Sequence, residues 1–270
     1  MRLVRIVFIH IVFLMLPVFT VFAKEQAAVT ELTVEGERRE AMIVPPAKRT
    51  EKPVPVILVF HGHGGTIESV ERYDFQKYWP EAVIVYPQGL PTVTGRDPEG
   101  KQPGWQQKVA ASNDRDIKFV DAILRHLRER FRVDDARVFA TGHSNGGVFT
   151  YLLGMVRSKV FAAIAPSAAV AGGLWADNDA KPIPVMHIAG RNDNVVPFEN
   201  QQKTLEAVCR RNACETKGIP WATAGDLTGT LYPSKAGASV VSVVHPGSHK
   251  YPENAIELIV RFFKERVSAG

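Results

Sequence analysis

The sequence predicts an α/β protein, with a mainly parallel central sheet, helices on both of its faces, and a single domain. Three observations predict this. The runs "VPVILVF", "AVIVYP", "ARVFATG", "FAAIAPS", "IPVMHIAG" and "ASVVSVVH" are apolar throughout and rich in β-branched residues, as strands buried on both faces must be. Amphipathic helical patterns separate several of these runs, which is the alternation of a parallel sheet. The chain has 270 residues, 45% hydrophobic and 23% charged, ordinary for a globular domain. It shows no internal repeat, low-complexity segment or interdomain linker.

The elements follow in order. Arg2 and Arg5 precede the apolar run "IVFIHIVFLMLPVFTVFA", and Val21-Phe22-Ala23 offers a small-x-small exit before Lys24. This is the layout of a secretory signal peptide over residues 1–23, which leaves 24–270 as the mature domain and a secreted or periplasmic location. An uncleaved membrane anchor is the alternative, against which Pro17 and the Ala23 site argue. "VTELTVEGERREAMIVPP" reads as two strands about Glu35-Gly36. In "DRDIKFVDAILRHLRERF", Ile117, Val120, Ile123, Leu124, Leu127 and Phe131 keep the three-to-four spacing of one apolar helix face, with Asn113 or Asp114 as cap. "NQQKTLEAVCRRNAC" reads as a helix ending near Asn212, and Ala255, Ile256, Ile259, Val260 and Phe263 mark a terminal helix. The longest irregular piece, "QGLPTVTGRDPEGKQPGWQQKVAASN", is enclosed by core elements and reads as a functional loop.

Charge and cysteines narrow the classes. The formal net charge is +5, falling to +3 without Arg2 and Arg5, and no Lys/Arg cluster stands out, so dedicated nucleic-acid binding is not expected. In an oxidising compartment Cys209 and Cys214 are expected to form a local disulfide, two buried thiols being the alternative. No second Cys or His pair completes a zinc ligand set, so no metal is expected.

The chemistry gathers at "VFATGHSNGGVFTYLLG". Gly142-His143-Ser144-Asn145-Gly146 fits G-x-S-x-G, with a strand before it and a helix after it, the setting of a nucleophile elbow. A serine on so sharp a turn needs neighbours without bulk, and Gly142 and Gly146 supply that. Its hydroxyl is a weak nucleophile and needs a base, which in turn needs an orienting carboxylate. The order expected on such a fold is serine, acid, histidine. Asp193 in "GRNDNVVP" and His249 in "PGSHKYP" both stand just past strand ends, where ligands bind in parallel sheets. Asp177 and Asp179 are rival acids in a polar loop. His245 is the rival base, read as a wall or packing residue, and His187 lies inside a strand as buried structure. A second oxyanion donor is expected from "VFHGHGGT" after an early strand, so that the amides of His63 in this loop and of Asn145 after the serine are the two candidates. A metal site at His61 and His63 is the weaker reading, for want of a carboxylate.

"HGHGG", "VYPQG", "RVFATGHSNGG", "FAAIAPSA", "GRNDNVVP" and "HKYP" together resemble the α/β-hydrolase esterases of the polyhydroxybutyrate depolymerase and feruloyl esterase group, from about Val54 to the terminal helix. The resemblance implies the α/β-hydrolase fold and Ser144, Asp193 and His249 as the triad. Members more often carry a cysteine or small residue at the His63 position and a tryptophan at Tyr251, which implies altered pockets here and puts Tyr251 among the substrate-binding residues.

The expected function is an exported serine esterase working through an acyl-enzyme, without cofactor. The connection "AAVAGGLWADNDAKP" is too short for a helical cap, so the site is expected to be open, with Trp105 and Trp175 as flat walls for an aromatic or sugar ring. Both tryptophans merely covering the core edge is the alternative. Short-chain and hydroxycinnamoyl esters, such as acetyl or feruloyl groups on plant oligosaccharides, are the expected substrates. A polyester depolymerase is the runner-up, less expected because the chain reads on to no surface-binding domain. A serine peptidase and a non-catalytic binding protein on the same fold are the other readings. Oligomeric state has no signature in the sequence.

Overall fold

Strand β3 (Val54–Phe60) shows why the apolar runs look as they do. Every one of its residues is buried, with Val56, Leu58 and Phe60 facing one core and Ile57 and Val59 the other. The structure, a computed structural model, describes residues 26–48, 50–175 and 180–267. The predicted signal peptide and the rival acids Asp177 and Asp179 lie outside the described residues.

Strand β3 pairs in parallel with β4 (Val83–Pro87) on one side and with β7 (Val133–His143) on the other. Parallel pairing continues through β8 (Ala163–Ser167), β9 (Val185–Gly190) and β12 (Val240–His245). Antiparallel hairpins close both edges, β1 (Ala28–Val34) with β2 (Glu37–Val44), and β10 (Ile219–Ala224) with β11 (Leu227–Tyr232). The order is β1-β2-β4-β3-β7-β8-β9-β12-β11-β10, and a two-stranded ribbon of β5 (Leu90–Pro91) and β6 (Pro103–Gly104) stands apart. The β10–β11 hairpin is absent from the sequence reading. Its turn rests on Gly225 at φ 60°, and its strands are half-exposed at the sheet edge, so neither a long apolar run nor a strict alternation announces it.

Helices α3 (Arg115–Arg130), α4 (Asn145–Val156) and α5 (Phe198–Arg211) bury their apolar stripes on one face of the sheet. The short α1 (Ile67–Glu71) and α2 (Phe75–Tyr78) and the terminal α6 (Ala255–Val267) cover the other. Asp114 stands at the start of α3 as expected, but its carboxylate turns back to accept from Ala110 N–H and Gln106 Nε2, each at 2.8 Å, and does not cap the helix. Between β8 and β9 the described residues form a 3-10 turn at Gly172–Trp175.

Cys209 and Cys214 depart from expectation: both are free thiols. The chain doubles back at Ala213, with φ 51°, and Cys214 N–H donates to Cys209 C=O at 2.9 Å. The neighbouring Cys214 side chain, together with burial, raises the Cys209 pKa, and Cys209 lowers that of Cys214.

Candidate active site

Ser144 sits between the last residue of β7 and the first of α4 with φ 55° and ψ −119°, a strained conformation for a residue with a side chain. The surroundings hold it there. Its own N–H donates to Ser167 C=O at 2.9 Å, and Val148 N–H donates to Ser144 C=O at 2.9 Å. Gly146 is needed for contact rather than for freedom: a Cβ there would come within 2.5 Å of Phe60 O. Its absence lets α4 press against the end of β3, which brings the loop after β3 beside the elbow. A Cβ on Gly62 in that loop would lie 3.6 Å from Ser144 Cβ.

His249 Nε2 is 2.8 Å from Ser144 Oγ, and His249 Nδ1 is 2.8 Å from Asp193 Oδ2. The serine hydroxyl therefore donates to Nε2, and the proton on Nδ1 is held by the carboxylate. Asp193 Oδ1 accepts from the amides of Val195 at 2.9 Å and Val196 at 2.8 Å, while Oδ2 also accepts from Gln201 Nε2 at 3.2 Å. Burial alone would raise the Asp193 pKa. The donors His249, Val196 and Val195 outweigh it and hold the carboxyl below its ordinary range. The loops carrying Asp193 and His249 are stitched to each other by Arg191 N–H to His245 C=O at 2.8 Å and Asn192 N–H to Gly247 C=O at 3.1 Å. Gly190 permits the crossing, since a Cβ there would meet Ser248 O at 2.6 Å.

His245 makes no contact with Ser144. It is 6% exposed and accepts from Gly247 N–H through Nδ1 at 3.1 Å, a packing residue. His143 packs its ring 4.9 Å from that of His249, and burial together with that neighbouring histidine lowers its pKa to about 4.

The Ser144 N–H is spent on Ser167, Gly64 N–H on Pro103 C=O and Gly65 N–H on Gly62 C=O. The amides of His63 and Asn145 enter none of these loop and cap hydrogen bonds, which leaves them as the candidate oxyanion donors. His61 is wholly buried and anchors the loop, accepting from Gly89 N–H at 2.9 Å through Nε2 and donating to Gly62 C=O at 2.7 Å through Nδ1. His63 Nε2 lies 3.2 Å from Asp97 Oδ2.

The predicted substrate walls are corrected by the structure. Trp105 is 0% exposed, stacked on Phe149 at 5.4 Å and edge-on to Phe60, with its indole N–H donating to His61 C=O at 2.9 Å. Trp175 is 3% exposed and donates to Tyr151 C=O. Tyr251 stacks on Tyr73 at 4.5 Å and meets His143 edge-on. None of the three lines the groove of about 1120 Å³ beside Ser144. That groove is walled by Val148, Val170, Val195 and Val196 on one side and by the loop about Thr92–Arg96 on the other.

Asn145 and Gln201 do more than sequence reasoning allowed. Asn145 clamps Trp105 through both ends of its side chain, Oδ1 accepting from Trp105 N–H at 2.7 Å and Nδ2 donating to Trp105 C=O at 3.0 Å. Gln201 had a visible signal: it shares the buried stripe of α5 with Thr204, Leu205 and Val208. A long polar side chain on such a stripe calls for a buried partner.

Comparison with known proteins agrees with this architecture. The model of the prolyl oligopeptidase family matches residues 104–174, a stretch that holds the elbow but neither Asp193 nor His249. The chain is 29% identical over 191 residues to a probable feruloyl esterase C of Aspergillus niger, covering 67% of this chain; it spans 64% of that relative's length. It is 28% identical over 229 residues to feruloyl esterase C of Emericella nidulans, covering 78% of this chain and 76% of that one. Among solved structures, an acetyl xylan esterase from Aspergillus awamori superposes with a TM-score of 0.65 at 12% identity, covering 88% of this chain and 99% of that one. The fold is that of the α/β hydrolases, and the resemblance to its feruloyl esterase group is borne out.

Proposed function

We propose that this protein is an exported serine esterase that hydrolyses carboxylic esters through a Ser144–His249–Asp193 triad. The observation that carries the reading is the continuous hydrogen-bonded chain of 2.8 Å and 2.8 Å from Ser144 Oγ through His249 to Asp193, opening on a groove. Ser144 attacks the ester carbonyl while His249 takes its proton, and Asp193 holds the imidazole in the tautomer that can accept it. The amides of His63 and Asn145 stabilise the tetrahedral oxyanion. His249 then returns the proton to the departing alcohol, and water activated by the same histidine releases the acid from Ser144.

The substrates are short-chain or hydroxycinnamoyl esters on small molecules or oligosaccharides. The similarity to feruloyl esterases supports this, as does the groove, whose four valines give an aromatic ring an apolar wall without a cap. Residues 1–23 act as the signal peptide and 24–270 as one catalytic domain. The partial match to a peptidase family keeps peptide-bond hydrolysis as a second reading.

An ester and amide panel tests the proposal. Aryl acetate, butyrate and methyl ferulate are expected to be hydrolysed, with no activation at a lipid interface. Prolyl peptide amides cleaved faster than every ester would make the protein a peptidase. Failure of Ser144 to react with a fluorophosphonate would make it a binding protein.

A further inference from the structure

Asp193 receives one more donor than a triad requires, and this donor comes from a helix rather than from the acid's own loop. Gln201 is 0% exposed on α5. Its Nε2 donates to Asp193 Oδ2 at 3.2 Å and to Val196 C=O at 2.7 Å. Both partners are acceptors, so the amide orientation is settled: nitrogen toward the acid, carbonyl away from it. The same side chain therefore grips the carboxylate and the turn whose amides grip it.

Behind the amide stands a second buried pair. Tyr151 Oη and His187 Nδ1 are 2.6 Å apart, and both residues are wholly buried. Burial raises the Tyr151 pKa well above 10, so the phenol keeps its proton and donates it to Nδ1. Burial lowers the His187 pKa to about 4, so the ring is neutral at neutral pH and carries its single proton on Nε2. His187 Nε2 and Gln201 Oε1 are the donor and acceptor left over: both are buried, neither has a hydrogen-bond partner among the described residues, and Gln201 is the side chain that opposes the burial shift of His187. The phenol proton thus points to His187, and the amide protons of Gln201 point to Asp193 and to Val196 C=O.

We propose that Gln201 is a positioning residue for the acid of the triad, itself fixed by its second bond to Val196 C=O. This rests on the triad reading above. Gln201 holds Oδ2 in the direction that serves His249 and draws negative charge from the carboxylate. Without it the acid is freer to rotate, and its undiluted charge grips the protonated form of His249 more strongly.

Steady-state hydrolysis of p-nitrophenyl acetate across pH, with melting curves for each variant, tests the idea. Gln201→Leu removes the donors in a similar volume. It is expected to lower kcat by about 10- to 100-fold, the worth of a hydrogen bond to a charged group, with KM little changed and the acid limb of kcat/KM moved to higher pH. Gln201→Glu keeps the shape and serves if the leucine variant does not fold. Its new carboxyl can donate only while protonated, so its activity relative to wild type should be highest at the acid end and fall as pH rises. Folded variants with wild-type kcat and an unmoved profile would overturn the proposal. Ser144→Ala is the control: residual activity there would overturn the triad reading itself.

Discussion

Two loop systems face each other across the groove, and they are built in opposite ways. The loops of Asp193 and His249 are short, leave the ends of β9 and β12, and are joined by backbone hydrogen bonds from Arg191 and Asn192. The loop from Gln88 to Ser112 is long and is anchored by side chains. Trp105 is driven into the core and clamped by Asn145, Gln106 pairs with Asp116 through backbone and side chain, and Arg115 donates to Pro91 C=O at 2.8 Å. Asp116 is itself held by the buried Arg39 at 2.9 Å. A short loop inherits its geometry from the strands, so its candidate catalytic residues can be placed by order alone. A long loop needs anchors, and its largest residue is spent as one.

The sharpest way to break this comparison is at the nucleophile. Ser144→Ala is expected to lose about 10⁴-fold or more in kcat/KM on aryl acetate without a change in melting temperature. A tenth of wild-type turnover in that variant would end the assignment.

The two histidines at the end of β12 and in the loop after it should separate next. His249→Ala is expected to be as inactive as the serine variant, whereas His245→Ala should mainly lose stability, by a few kcal/mol at most. An inactive, fully stable His245→Ala would mean that the base had been misidentified.

Trp105→Ala tests the anchoring loop. Removing so large a buried side chain should cost about 3–5 kcal/mol in denaturant unfolding, with activity falling equally on acetyl and feruloyl esters. A stable variant with a raised KM for feruloyl esters alone would return Trp105 to the substrate wall.

The smallest effect is the pH dependence of stability. His187 and His143 have folded pKa values of about 4, below their ordinary 6.5. The unfolded chain thus takes up protons first as pH falls. Their contribution is complete above pH 6.5 and is lost between about 6.5 and 4, on the order of 3 kcal/mol for the fully buried His187. The lowered pKa of Asp193 acts in the same direction at still lower pH. Denaturant midpoints at pH 7, 5.5 and 4.5 should fall steadily, and a flat series would contradict the burial of both rings.

The amino-acid sequence by itself determined the parallel centre of the sheet, because strands buried on both faces cannot be written without continuous apolar runs. It also determined the elbow, because a serine at a strained strand–helix turn demands small neighbours at 142 and 146. That Asp193 and His249 would meet Ser144 was legible because parallel strands deliver their loops to one edge of the sheet. Tertiary structure decided what depends on direction. Whether Trp105 faces a ligand or the core is set by Phe60, Phe149 and Asn145, which lie far from it in the chain. The partnership of Gln201 with Asp193 joins a helix to a loop, and only the packing of α5 against β9 brings them within hydrogen-bonding reach. Local pattern records which residues must be buried or bent; which side chain meets which is a property of the packed whole.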